Sequence, residues 1–305
     1  MPRPLPPPIP QLAFIVRYCL AHIWWSRSSR RDFILSSLMH MSVLRRIPRK
    51  QLLYNDVLFQ IKIGPILKSA RARLVSDKEL VKRHIASVVG DKYNVPTLAI
   101  LSTPEEIDAF EFPQRCVIKP THASAEFLPR RSGEPLDIAR IKSWLRLDYS
   151  EQNYEANYRR LVPKIIVEPW AFDSNDITEF SFLCVGGKVR VIYASADRFD
   201  SYSVVNFDTD WNELPYSSYE ASHRHFEKPK HLAEMISVAE RLAKDFFIVR
   251  IDTYYDGTNF KCGEITNCPG AALCIFTPRE GELIHSNILF SDVGVEAWDG
   301  FFNGE

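Results

Sequence analysis

Long apolar runs are missing from this chain of 305 residues, and no stretch reaches the length of a membrane span. The nearest, residues 12–25, is too short and is interrupted by Arg17 and His22. It follows a Pro-rich tip at residues 1–10 and carries no small-residue cleavage site, so a secretory signal is not expected. Trp24 and Trp25 are followed at once by Arg27, Arg30 and Arg31. This leaves two readings: a helix lying in an anionic membrane interface, or one packed on the body with solvated arginines. None of the six cysteines forms a CxxC pair, and several lie in apolar β-like runs, which suits reduced thiols in a cytoplasmic protein. Cys262, Cys268 and Cys274 are evenly spaced but lack a nearby His to complete a tetrahedral metal set. Internal repeats are absent. So is net charge, although the zero total hides an asymmetry. Residues 1–75 carry 13 Lys and Arg against 2 Asp and Glu, and residues 76–305 carry 25 against 36. A basic end of this kind suits an anionic surface: membrane lipid, nucleic acid or the protein's own acidic body.

With 46% apolar residues the chain is globular and long enough for two domains with real cores. Residues 11–75 read as two or three helices broken at Pro48 and Pro65, and residues 77–89 as a helix stopped by Gly90. Thr103-Pro104-Glu105-Glu106 is a capping box with proline at the first helical position. Strands are expected at 115–119 and 164–168, a helix at 137–147, and a hairpin about Gly186-Gly187 joining 179–185 to 188–194. A further helix begins at Pro229. Strands and helices interleave over 77–275, so the class is α/β or α+β.

Two carboxylates stand out in the last part of the chain. Asp252 and Glu264 sit on β-like runs separated by an Asp256-Gly257 turn, where apolar neighbours make an unmet charge costly. Register decides whether they meet, because side chains alternate faces along a strand. A two-residue loop would pair Asp252 with Lys261 and turn Glu264 to the other face. A three-residue loop, 256–258, would pair Asp252 with Cys262 and Arg250 with Glu264, so that all four share a face. That second arrangement suits magnesium and phosphate, since hard cations choose oxygen ligands. An ion pair of a strand carboxylate with Arg250 or Lys261 is the other reading.

The ordered pieces together resemble the TupA-like branch of the ATP-grasp superfamily over roughly residues 70–280. The resemblance is carried by Asp77-Lys78, residues 95–98 (VPTL), residues 116–124 (CVIKPTHAS), residues 164–168 (KIIVE), residues 179–188 (EFSFLCVGGK), residues 250–254 (RIDTY) and residues 263–266 (GEIT). It implies an α+β ATP-grasp fold, two lobes clasping ATP behind a basic helical N-terminal segment. The implied partition is 1–75 for the Pro-rich tip and basic segment, 76–163 for the first lobe, 164–285 for the second lobe with the metal site, and 286–305 for a tail. ATP and Mg2+ are the implied cofactors. By the same resemblance Lys78, Lys119, His122, Ser124, Lys164, Glu168, Trp170 and Glu179 contact the nucleotide, and Asp252 and Glu264 hold the metal. Either Thr266 or Asn267 supplies a third oxygen. Arg250 and Lys119 act on the transferring phosphoryl group, where electrostatic stabilisation matters most.

The implied reaction is ATP-dependent ligation of a carboxylate to an amine through an acyl phosphate, in cell-surface polysaccharide or peptide-polymer synthesis. Its partners would be a carboxylate substrate and an amine acceptor (amino acid, peptide or uronic acid polymer). Residues 11–50 would touch an anionic membrane from the cytoplasmic side, and nucleic acid is not expected. The sequence departs from the branch in three places: Ala123 and Ala125 flank Ser124 where glycines are usual, Ser181 replaces a lysine, and Asn267 falls one position late. Two other functions stand beside the ligase. Asp208-Thr209-Asp210 after an apolar run could serve a glycosyltransferase, and the Ala-Ser-Ala loop suits a degenerate ATP-grasp scaffold.

Overall fold

The computed structural model describes residues 29–172, 177–196, 203–218 and 224–293. The Pro-rich tip and the stretch 12–25 lie outside the described residues. No helix among the described residues is long and apolar enough to cross a membrane.

The chain enters through helices α1 (Ser29–Leu44), α2 (Tyr54–Ile63), α3 (Ala70–Ser76) and α4 (Leu80–Val88). Regular helix α4 begins at Leu80, three residues after Asp77, which caps the approach: its carboxylate accepts from the amides of Glu79 and Leu80 and its carbonyl from that of Val81. Strand β1 (Ala99–Leu101) follows, then α5 (Pro104–Ala109), capped at Thr103 as expected: Thr103 Oγ1 accepts from the Glu106 amide at 3.2 Å, while the Glu106 carboxylate accepts from the Ser102 amide, one residue before the cap. Strands β2 (Cys116–Pro120) and β3 (Leu128–Arg130), helices α6 (Ile138–Trp144) and α7 (Ser150–Asn153) and strand β4 (Ile165–Glu168) complete the first half. Its antiparallel sheet has the order β1-β4-β2-β3. Ile107, Ile118, Ile141 and Ile165 form its core.

The second half holds β5 (Thr178–Val185), β6 (Lys188–Ala196), β7 (Ser203–Phe207), α8 (Leu232–Ala243), β8 (Ile248–Tyr255), β9 (Phe260–Thr266) and α9 (Gly281–Phe290). Helix α9 runs across residue 286, where the tail was expected to begin. The sheet is antiparallel in the order β7-β6-β5-β8-β9. The whole is α+β. The β5–β6 turn is the expected one, with Gly186 and Gly187 at φ 59° and 73° as the twist-matched two-residue hairpin requires. One sheet face packs Phe182, Ile192 and Ile251 against Met235 and Leu242 of α8. Part of the other packs Leu183 and Val185 against Tyr54, Leu58 and Leu289 from α2 and α9. The basic segment is thereby joined to acidic groups: Arg46 reaches Asp56 at 2.6 Å and Glu282 at 2.8 Å, and Arg31 reaches Glu151 at 2.6 Å.

The β8–β9 hairpin corrects the register argument. Its loop has four residues, since Tyr255 pairs with Phe260, and Asp256 closes it by accepting from the amides of Thr258 and Asn259. An even loop would turn Glu264 away from Asp252. A β-bulge between Asp252 and Thr253 on one strand and Cys262 and Glu264 on the other restores the match by inserting Gly263. Burial records the change of phase: Phe260 and Cys262 face the α8 core, and after the bulge so does Ile265. Asp252 and Glu264 are therefore direct partners rather than diagonal neighbours.

Candidate active site

Alternation along β8 places Arg250, Asp252 and Tyr254 on the face opposite Ile251 and Tyr255. Across β5, Ser181 pairs with Asp252 and Glu179 with Tyr254. Across β9, Glu264 pairs with Asp252. Arg250 donates Nε and Nη2 to the two Asp252 oxygens at 2.6 and 2.7 Å, the bidentate geometry a guanidinium favours. The Thr266 hydroxyl donates to Asp252 Oδ2 at 3.4 Å. Thr266 therefore lies beside the pair. Asn267 instead gives its amide nitrogen to Ala72 O and Ser76 Oγ, both at 3.1 Å, and ties β9 to α3.

Lysines approach from the first half. Lys119, at the end of β2, lies with Nζ 5.9 Å from the Tyr254 ring centroid and 2.7 Å from Glu168 Oε2 on β4. The other Glu168 oxygen takes Lys82 Nζ at 2.5 Å. Lys78, one turn before Lys82 on the α4 approach, donates its ammonium to the Ala123 carbonyl. Glu264 is near enough to favour the charged forms of both Lys78 and Lys119, and Lys119 lies against the Tyr254 ring, so the acidic hairpin and the lysine cluster approach one another. Burial opposes the charge on Lys119, yet Glu168, Tyr254 and Glu264 together hold its pKa above the ordinary value. For Lys78 burial wins and the pKa is lowered despite Glu264. Burial would raise Glu168, but Lys119 and Lys82 keep it below the usual carboxylate range.

The remaining expected residues divide. Ser124 lies near Tyr149 and Tyr158, whose rings meet edge-on with centroids 4.7 Å apart. Ala125, where the family resemblance leads one to expect glycine, takes φ 61°, a conformation that strains a residue with Cβ. His122 is 3% exposed, and both ring nitrogens are buried without a hydrogen-bond partner among the described residues; burial lowers its pKa. Lys164 pairs with Glu79 at 2.6 Å. Trp170 donates to Arg130 O at 3.0 Å and lies 5.6 Å from the guanidinium groups of Arg115 and Arg131. Asp208 is spent on its own loop, accepting from the amides of Asp210 and Asn212 and from the Asn212 side chain. Two groups escaped the sequence reading. Lys82 was signalled by its helical i, i+4 spacing from Lys78. Glu155 was not signalled at all: it lies in an irregular segment, 6% exposed, where burial and the nearby Glu264 push its carboxyl up to about 7 against the pull of Lys62.

Two antiparallel sheets with helices on their outer faces, meeting across a cleft of lysines and carboxylates, are the ATP-grasp fold. Within that class, the TupA-like ATPgrasp family matches residues 64–288, and the chain belongs to this family. No curated protein matches the chain in sequence. Among solved structures, the L-amino acid ligase from Bacillus licheniformis is 12% identical with a TM-score of 0.42, covering 86% of this chain and 56% of its own. The D-alanine-D-alanine ligase from Helicobacter pylori is 13% identical with a TM-score of 0.37, over 65% of this chain and 56% of its own. That from Bacillus anthracis complexed with ATP is 14% identical at 0.43, over 78% and 70%. This chain thus spans little more than half the length of the first two.

Proposed function

We propose that the protein is an ATP- and Mg2+-dependent ligase that joins a carboxylate to an amine through an acyl phosphate, in assembly of a cell-surface polysaccharide or peptide polymer. The observation that carries this reading is the direct pairing of Asp252 with Glu264 on a sheet face turned toward Lys78 and Lys119. Two carboxylates and the Thr266 hydroxyl fit magnesium, which takes few protein ligands and keeps places for water and phosphate oxygens. Among the described residues no third His, Cys, Asp or Glu joins them, which argues against a dedicated all-protein metal cage. Asp252, Glu264 and Thr266 would hold the ion, which when bound neutralises phosphate charge.

The chain's own groups do the rest. Lys119 and Lys78 bring ammonium charge to the triphosphate, and the 121–125 loop covers it. Nucleotide phosphate draws Lys119 from Glu168, leaving Glu168 held by Lys82. Trp170 and the chain beside it would receive the adenine. Arg250 stabilises the phosphoryl group as a substrate carboxylate oxygen bonds to the γ-phosphorus and ADP departs. The amine nitrogen then bonds to the acyl carbon, phosphate leaves with the former carboxylate oxygen, and the nitrogen loses a proton. A cytoplasmic protein whose residues 11–50 meet an anionic membrane would be placed to serve a surface polymer.

The test is ADP release by the full chain with panels of acids and amines. Asp252→Asn and Glu264→Gln should each abolish turnover while leaving the melting temperature near that of the parent. Parental ADP release by both variants would sink the metal assignment.

A further inference from the structure

A cavity of about 100 Å³ lies beside Arg250, the ion-pair partner of Asp252, and its ten lining residues include Ser181, Tyr193, Ser195, Ser218 and Tyr54. Its place follows from strand register. Tyr193 pairs with Ser181, Ser181 with Asp252, and Asp252 with Glu264, so a single row crosses β6, β5, β8 and β9. Neighbouring strands lie about 4.8 Å apart, which puts a ligand above Ser181 one strand from Asp252. Five of the ten lining residues carry hydroxyls, able both to donate and to accept. Ser218 Oγ is buried with no hydrogen-bond partner among the described residues, an unsatisfied group that a ligand would meet. Tyr193 is oriented by His285 Nε2 at 3.4 Å, and His285 Nδ1 lies 2.7 Å from the Tyr216 hydroxyl.

The wall beside Gly270 is built under strain. Gly270, Ala271 and Ala272 take φ of 58°, 52° and 63°, three left-handed residues in succession, two of them bearing Cβ. Helix α2 braces this turn: Lys62 Nζ donates to Ala271 O at 3.0 Å, and Asn55 exchanges hydrogen bonds with the Cys274 backbone at 2.8 and 2.9 Å. Such backbone persists when its surroundings hold it in place, and here it shapes the cavity beside Arg250.

We infer that this cavity receives the acid substrate as a small hydroxylated carboxylate, from a hydroxy acid to a single sugar-acid unit. This rests on the ligase reading of the adjoining site. The carboxylate lies toward Arg250 and Ser181, and the ligand hydroxyls exchange hydrogen bonds with Tyr193, Ser195 and Ser218. An α-amino acid would bring an ammonium group, and among the described residues the lining offers no carboxylate to receive it.

Calorimetric binding to the full chain without ATP tests this, using D-glycerate and D-glucuronate against L-alanine and D-alanine. At least one hydroxylated acid should bind at least tenfold more tightly than either amino acid. The Ser195→Ala/Ser218→Ala double variant should lose at least tenfold of that affinity with an unchanged melting temperature. Tighter binding of an amino acid, no binding of either hydroxylated acid, or unaltered affinity in the double variant would each overturn the inference. Binding of a hydroxylated acid without ADP release under any amine would instead defeat the ligase reading and leave this pocket assigned.

Discussion

Replacing Gly263 by alanine sets two effects of opposite sign against each other. Glycine in a strand interior costs roughly 0.5–1 kcal/mol relative to alanine through backbone entropy, so the substitution should stabilise if nothing stands in its way. The Tyr254 ring stands in its way: a Cβ at residue 263 would lie 2.6 Å from Cε2, 2.9 Å from Cζ and 3.1 Å from the hydroxyl. Overpacking of that kind costs about 1–3 kcal/mol, so the clash should win and leave Gly263→Ala destabilised by about 1–2 kcal/mol. The ring cannot simply swing aside without cost, because it faces Lys119 at 5.9 Å. In a Tyr254→Ala background the obstacle is gone and the same substitution should turn stabilising. Chemical denaturation of the four proteins of this double-mutant cycle measures the reversal. A Gly263→Ala cost that persists unchanged without the Tyr254 ring would refute the steric reasoning.

Lys119→Ala should weaken ATP binding at least tenfold, about 1.4 kcal/mol for a charge lost from phosphate, and unaltered affinity by calorimetry would return Lys119 to a purely structural pairing with Glu168. Glu155 supplies a pH test: burial raises its folded pKa from 4.5 to about 7, so the stability it contributes is complete below 4.5 and is lost as pH rises through 7. Glu155→Gln should therefore gain on the parent between pH 5 and 8, by up to about 3 kcal/mol, and parallel denaturation profiles would contradict the shift. Binding of the full chain to acidic vesicles should weaken steeply between low and physiological salt, because exposed charges are screened within about 10 Å at 0.1 M. Salt-insensitive behaviour would mean that the basic segment's charge is directed to the body, as that of Arg31 and Arg46 already is.

What the sequence determined by itself was local or repeated along the chain. The Thr103 cap and the Gly186-Gly187 turn depend on neighbouring residues alone, and both formed as read. The order of strand-end motifs was enough to identify the ATP-grasp family and its α+β architecture. Which side chains meet was a tertiary decision. Glu264 faces Asp252 because a bulge at Gly263 offsets an even loop, and loop counting could not include a ring that closes over that glycine. Lys164 and Asn267 have suitable chemistry, but Glu79, and Ala72 with Ser76, engage them from elsewhere in the chain. Lys82 joins Glu168 for the same reason. A buried polar group must find a partner wherever the fold brings one, and strand pairing and helix packing bring partners from distances along the chain that no local pattern encodes.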